Sequence, residues 1–408
     1  MNRQTENFLN LIRAFLWNTE VNVADPDWNA LFHMANIHNL IPAIYDAVYK
    51  LPCFSQAPSH IQKKFQESAL YQSSVQFMRT QEFLTLNDEF QANDLHPRVL
   101  KGLICRSLYP QPDLRISCDE DLWIRAEDLP RYDRILRAHG YTPDFDDVTP
   151  ILETIQEVTY ESPVLTLELH TSHPFGTDDA IRMKMNQLFE HSFDRVSVET
   201  IEGHRVYTLS PTEHYLFLFT HLYKHFIVGG VGIRQILDLF LFYGKYRDQL
   251  DMRRIHSGIT TLSGEEFYSA ITEISRRHLG FTFLEPADAP SDVDSLLDDL
   301  VESGCFGNYT RAHSLSQGYM LSGERSHLRM IHLLFPPASR LYSTYPFLVR
   351  RPYLLPVAWC RRIIRLSKEL WNDKPLLSRG VSRAKKRTKL LKSLHTIPFK
   401  RQRRPKDD

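Results

Sequence analysis

Between residues 94 and 209 the spacing of apolar side chains changes from helical to strand-like, and after Ser210 it changes back. Upstream, Phe8, Leu9, Ile12, Phe15 and Leu16, then Phe65, Leu70, Tyr71, Phe77, Phe83, Leu86 and Phe90, recur at helical intervals. Within the middle block, His96–Leu100 and Cys118–Ile124 read as short strands, and Leu129–His139 as a helix closed by Gly140. Val164–His170 alternates Leu165, Leu167 and Leu169 with Thr166, Glu168 and His170, the pattern of a half-buried strand. Val196–Thr200 and Arg205–Leu209 flank Glu202-Gly203 as a hairpin. Helices return near Thr212–Ile227 and Ile233–Tyr246. Ser210 is read as N-cap, Pro211 as a first-turn residue and Glu213 as the third helical position, and Gly229, Gly230 and Gly232 as a flexible joint.

These changes of period predict an α+β chain. They divide it into a helical region (1–93), a strand-bearing core (94–209), a helical region closing a cleft (210–330), a proline-interrupted segment (331–378) and a mobile basic tail (379–408).

Charge sharpens this division. Formal net charge is +0, yet residues 379–406 hold 12 of the 49 Lys and Arg residues and no acid. The body ahead of residue 379 carries 37 basic and 47 acidic residues, which argues against wide wrapping of a nucleic acid. The five cysteines are scattered without a C-x-x-C pair, so no disulfide partner or structural zinc site is expected, and a reducing cytoplasmic setting fits. The tail, and the helix-like stretch Trp359–Trp371 with Arg361, Arg362, Arg365 and Lys368, would suit a polyanion or the inner face of a membrane, or else simply be solvated.

The chemistry is concentrated in Leu114-Arg-Ile-Ser-Cys-Asp-Glu-Asp-Leu-Trp-Ile124. Residues two apart on a strand share a face, so Asp119 and Asp121 project together, about 7 Å apart. Paired carboxylates repel unless a cation lies between them, and hard oxygen ligands suit Mg²⁺. Glu168, on its own alternating strand, offers a third carboxylate; three such acids could hold two metals for an in-line phosphoryl displacement. Taken alone, an Asp-x-Asp pair is more often a pair of solvated carboxylates at a strand end or turn. Glu120, between the two aspartates, should face the packed side and reach solvent or a basic partner.

Val99-Leu-Lys-Gly102, Tyr109-Pro110, then Arg115 with Ser117-x-Asp119-x-Asp121-Leu122 resembles the core of the bacterial uncharacterised nucleotidyltransferase family, within the polymerase-β-like superfamily. Leu167-Glu-Leu-His170 resembles its third-acid strand. His225, Arg234 and Asp238 resemble its helical-region pattern, and Leu334-Phe-Pro-Pro337 with Leu355-Pro356 its C-terminal segments. The resemblance implies a small mixed sheet among helices and transfer of a nucleoside monophosphate from an NTP to an acceptor, with Mg²⁺ and release of pyrophosphate. It implies Asp119, Asp121 and Glu168 as metal ligands, Glu168 alternatively as base, and Lys101, Gly102, Arg115 and Ser117 as nucleotide contacts. His170, His225, Arg234 and Asp238 would line an acceptor cleft; the acceptor itself stays open.

Each residue also has a plainer role. Arg115 could brace the loop before Asp119, His170 could be a hydrogen-bonded structural residue, and Arg234 and Asp238 could pair as an i,i+4 salt bridge. His221 and His225 have zinc-ligand spacing without H-E-x-x-H. A non-catalytic nucleotide-binding or scaffold protein, anchored by its basic tail to a membrane or polyanion, is the alternative function.

Overall fold

A computed structural model describes residues 1–144, 157–171, 179–288, 290, 292–305, 335–338, 341, 344–345, 347–372 and 376–396. The first region is all helix: α1 (Arg3–Trp17), α2 (Trp28–Ile37), α3 (Ile41–Val48), α4 (Pro52–Ser55) and α5 (Ser59–Ala92). Asn2 and Asp27 start α1 and α2 as N-caps, their side chains accepting backbone N–H groups of the first turn. On α5, Phe65, Phe83, Leu86 and Phe90 are buried, whereas Leu70, Tyr71 and Phe77, which share its helical period, are exposed.

Five strands follow among short helices. These are β1 (Arg98–Val99), α6 (Gly102–Arg106), β2 (Asp119–Trp123), α7 (Leu129–Ala138), β3 (Thr142–Pro143), β4 (Glu157–Glu161) and β5 (Thr166–His170). The sheet runs β1-β2-β5-β4-β3 and is mixed, with β2 parallel to β5 and the other pairs antiparallel. β3 and β4 carry no clear alternation with a turn signal, and the sequence predicts neither. After α8 (Asp179–Phe189), β6 (Val196–Ile201) and β7 (His204–Leu209) form the expected hairpin.

The helical second half comprises α9 (Pro211–Val228), α10 (Ile233–Tyr246), α11 (Met252–Thr261), α12 (Glu265–His278) and α13 (Val293–Ser303). Beyond it lie α14 (Phe347–Arg350), α15 (Leu355–Asn372) and α16 (Leu376–Ser393). One continuous apolar core reaches from Phe8 on α1 through the sheet to Leu300 on α13, and takes in Leu390, Leu391 and Leu394. Leu341, Leu348 and Ala358 form a separate small core.

α9 starts as expected, with Ser210 as its N-cap residue, Pro211 in the first turn and Glu213 third, although the Ser210 side chain makes no cap. Glu213 spends its carboxylate on Arg195, Arg254 and Ser192 instead of completing a capping box. The Gly229–Gly232 joint is pinned: a Cβ at Gly230 (φ +116°) would lie 2.5 Å from Ser303 Oγ, and one at Gly232 2.6 Å from the Gly304 carbonyl carbon. Glycine is required there for close approach and, at Gly230, for its positive φ. The basic segment beginning at Arg379 is helical through Ser393, because Arg387 is buried and pairs with Asp299 while also donating to the Phe226 carbonyl. The charges from Lys400 to Lys406, and Leu334, lie outside the described residues.

His38 ties the halves together at the start of α10. Its Nδ1 accepts the Ile233 N–H at 3.2 Å, and its Nε2–H donates to the Val301 carbonyl at 3.1 Å. Acceptance at Nδ1 requires the neutral ring with its proton on Nε2. Burial, with nearby Arg234 adding to it, lowers its pKa from 6.5 to about 4. The unfolded chain therefore takes up a proton between about pH 6.5 and 4 that the folded state refuses, so stability falls as pH drops through that window. Complete loss of this contribution amounts to about 3 kcal/mol. Urea unfolding of the wild type and His38→Asn at pH 7 and pH 4 checks it: the variant should show the smaller acid loss, and equal losses would refute it.

Candidate nucleotidyl-transfer site

The parallel pairing of β2 with β5 decides which side chains meet. Its register sets Asp119 opposite Thr166, Asp121 opposite Glu168 and Trp123 opposite His170. The next pairing puts Glu157 of β4 opposite His170. Asp119, Asp121, Glu168, His170 and Glu157 thus share one face of the sheet, while Glu120, Leu122, Leu167 and Leu169 take the other and are buried.

Asp121 is buried at the centre of this face. Its Oδ2 lies 2.8 Å from Lys101 Nζ and its Oδ1 3.1 Å from His170 Nε2. His170 Nδ1 lies 3.3 Å from Glu157 Oε2, and its Nε2 3.8 Å from Glu168 Oε2. Ligand atoms of Asp121, Glu168 and His170 fall within 4.8 Å of one another, the group among the described residues able to hold a metal ion. Asp119 stands outside that group, on the same face and nearer solvent. It still acts electrostatically on Lys101 and Glu168.

The charges follow from this crowding. Burial opposes the charged form of Asp121, but Lys101 and His170 outweigh it and hold the carboxyl below its usual range. For Lys101, burial favours loss of the proton, and Asp121, Asp119 and Glu168 reverse that preference. Burial likewise acts against a charged His170, yet its bonds to Asp121 and Glu157 raise its pKa to about 9. For Glu168 the pull of Lys101 is outweighed: burial, then Asp121 and Glu157, push it up to about 8. In this state the face holds more carboxylate than its own cations neutralise. Two converging carboxylates, one of them driven toward its neutral form, fit a divalent cation, which would restore Glu168 to a carboxylate.

Across from the carboxylates runs α9. Tyr215, Phe217, Phe219, Leu222, Tyr223 and Phe226 are buried on it, but His221, Lys224 and His225 are only half-buried, one helical turn apart on one face. His221 Nε2 lies 3.2 Å from Lys101 Nζ, and the His221 and His225 rings are 4.4 Å apart. Burial, then Lys101, lowers the pKa of both rings, so they stand neutral. Their zinc-like spacing belongs to no ligand cluster among the described residues. Lys224 lies in the field of Glu157, Lys101, Glu168 and Asp121. A lysine and two histidines interrupting an apolar helix are visible in the sequence, although only His221 and His225 stand out by spacing. Glu157 carries no sequence signal, because its role depends on the β4–β5 register.

The remaining sequence candidates brace the site from behind. Arg115 reaches Asp238, its Nε donating at 3.1 Å, and Tyr109 Oη donates to the same carboxylate at 2.8 Å. Asp238 is thereby paired across the fold rather than one turn along α10. Arg234 donates to the Ile116 carbonyl and, from Nε, to Cys305 Sγ at 3.2 Å. Ser117 is buried between Gln76, which accepts its N–H at 2.7 Å, and the guanidinium of Arg106. Glu120 does find a basic partner, Arg106 at 2.6 Å, with both side chains buried, and it accepts the Leu103 N–H at 2.8 Å. Gly102 (φ +41°) makes room for it, since a Cβ there would fall 1.8 Å from Glu120 Oε2. The first turn of α6 is therefore capped from within the protein.

No curated protein and no solved structure matches the chain. A family model does match, over residues 24–280, the span holding the sheet, the carboxylates and α9. With well over half of its length covered by that model, the chain belongs to the uncharacterised nucleotidyltransferase family.

Proposed function

We propose that the protein is a Mg²⁺-dependent nucleotidyltransferase that moves a nucleoside monophosphate from an NTP to an acceptor, releasing pyrophosphate. The carrying observation is the convergence of Asp121, Glu168 and His170 ligand atoms beside the Lys101 ammonium. Asp121 and Glu168, with Asp119 at the rim, would hold the cation, which supplies charge neutralisation at the phosphates when bound. His170, fixed by Glu157, orients Asp121. Lys101 and Lys224 meet the negative charge of the phosphate chain, with His221 and His225 as neutral donors along α9. In the transfer, the acceptor oxygen bonds to the α-phosphorus, the bond from that phosphorus to the pyrophosphate oxygen breaks, and the acceptor's proton passes to Glu168.

Calorimetric titration of ATP, GTP, CTP and UTP, with and without Mg²⁺, tests this without knowledge of the acceptor. One NTP should bind only with Mg²⁺, and an Asp119→Asn/Asp121→Asn protein should not bind it. Lys224→Met should weaken NTP binding by about tenfold or more, the scale of a lost charged hydrogen bond, while leaving the monophosphate almost unaffected. Equal losses for both nucleotides would remove Lys224 from the phosphate contacts.

The internal pairing of Asp121 with Lys101 and His170 favours one second reading, a nucleotide-binding or scaffold protein without turnover. Pyrophosphate release that disappears with Asp121→Asn would eliminate it.

A further inference from the structure

A second surface, remote in sequence from the carboxylates, has a chemistry of its own. From Arg325 to Lys368 the chain carries nine Lys and Arg residues and not one Asp or Glu. At the end of this stretch α15 turns one face inward: Ala358 is buried with Leu341 and Leu348, Trp359 packs against that cluster, and its indole N–H donates to the Pro336 carbonyl at 2.8 Å. The other face has no such cover among the described residues. Tyr353 is 72% exposed, Val357 44% and Ile364 58%, and Cys360 is exposed between them. Val357, Cys360 and Ile364 follow i, i+3, i+7 and so form one outward stripe.

Exposed arginines flank the stripe. Arg361 and Arg365 lie along one side, and Arg351 precedes Tyr353. The Arg361 guanidinium sits over the Phe347 ring, 5.8 Å from its centroid, leaving its charge at the surface. Among the described residues, no helix is long and apolar enough to cross a membrane. A helix with an apolar outer stripe flanked by exposed arginines, and an exposed tyrosine just before it, matches a bilayer surface rather than its interior.

We propose that the outward face of α15, with Tyr353, Val357, Ile364 and the arginines Arg351, Arg361 and Arg365, docks the protein onto an anionic phospholipid bilayer. Charge complementarity selects this occupant: the exposed arginines gain from anionic headgroups, while the apolar stripe enters the headgroup–acyl boundary. A neutral apolar protein partner would use the stripe but not the arginines. The proposal is independent of nucleotidyl transfer and would stand if that activity were refuted.

The test is sedimentation of the full chain with vesicles of phosphatidylcholine alone, or of phosphatidylcholine with phosphatidylglycerol at three to one. The protein should partition onto the anionic vesicles only, and less so as salt rises. Val357→Asp/Ile364→Asp should release it, and each of Arg361→Gln and Arg365→Gln should lower partitioning roughly fivefold. Both sites are exposed, so circular dichroism of the variants should match that of the wild type. A chain with Lys400, Arg401, Arg403 and Arg404 changed to Gln separates the terminal charges from the helix. No binding to anionic vesicles overturns the proposal. So does binding that survives Val357→Asp/Ile364→Asp, or that is lost only with the terminal substitutions. A wild type that self-associates through this face without binding vesicles would show that its occupant is a second copy, and would also overturn it.

Discussion

An Asp121→Asn protein is expected to lose Mg²⁺-dependent NTP binding by about 100-fold or more. Even residues that merely orient a metal ligand are worth 10–100-fold, and Asp121 is central to the ligand group itself. The same substitution should also destabilise the protein in the absence of metal. Asp121 is the shared counter-ion of Lys101 and His170, all three buried or nearly so. With an amide in its place two cations face each other, partly relieved only because Glu168 would then ionise more readily. Breaking one partner out of such a buried arrangement costs about 3–5 kcal/mol. Calorimetry and urea unfolding on the same protein give both numbers. Lost binding with unchanged stability would mean that the Lys101–Asp121–His170 pairing carries little energy. Unchanged binding would remove Asp121 from the site.

Arg106→Met should destabilise the chain by a similar 3–5 kcal/mol although the residue touches none of the site carboxylates. Arg106 and Glu120 are both buried, 2.6 Å apart, on the side of β2 opposite Asp121. Removing the guanidinium leaves Glu120 charged in the core with only the Leu103 N–H to satisfy it. A double variant, Arg106→Met/Glu120→Leu, should recover most of that loss, because replacing both members of a buried ion pair with apolar groups is often neutral or better. The difference in urea midpoints among the wild type, Arg106→Met, Glu120→Leu and the double variant measures the coupling. If the double variant is as unstable as Arg106→Met alone, the loss comes from Ser117 and Gln76 packing and not from the stranded carboxylate. The pair has a functional consequence as well. It joins α6 to β2, and Lys101, at the start of α6, is thereby aimed at Asp121.

Period and residue type were enough to read the helical first region, β1, β2, β5, the β6–β7 hairpin and α9–α10, because apolar runs and their spacing mark each of them along the chain. Asp119 and Asp121 on one face of a strand, with Glu120 turned to the other, likewise follow from strand geometry alone. Tertiary structure decided the rest. Only the parallel β2–β5 register brought Glu168 opposite Asp121 and His170 into the ligand group, and only β4, whose strand signal is weak, supplied Glu157. Arg115, Arg234 and Asp238 illustrate the same limit. Their types suit a phosphate or an acceptor, but each is bound to a partner at least 70 positions away, and no spacing rule reaches that far. Arg387 sits in what reads as a solvated basic run, and a buried aspartate on α13 draws it into the core. A sequence records which face of an element is apolar; which charge meets which is settled when the elements pack, since an ion pair depends on distance in space and leaves no period along the chain.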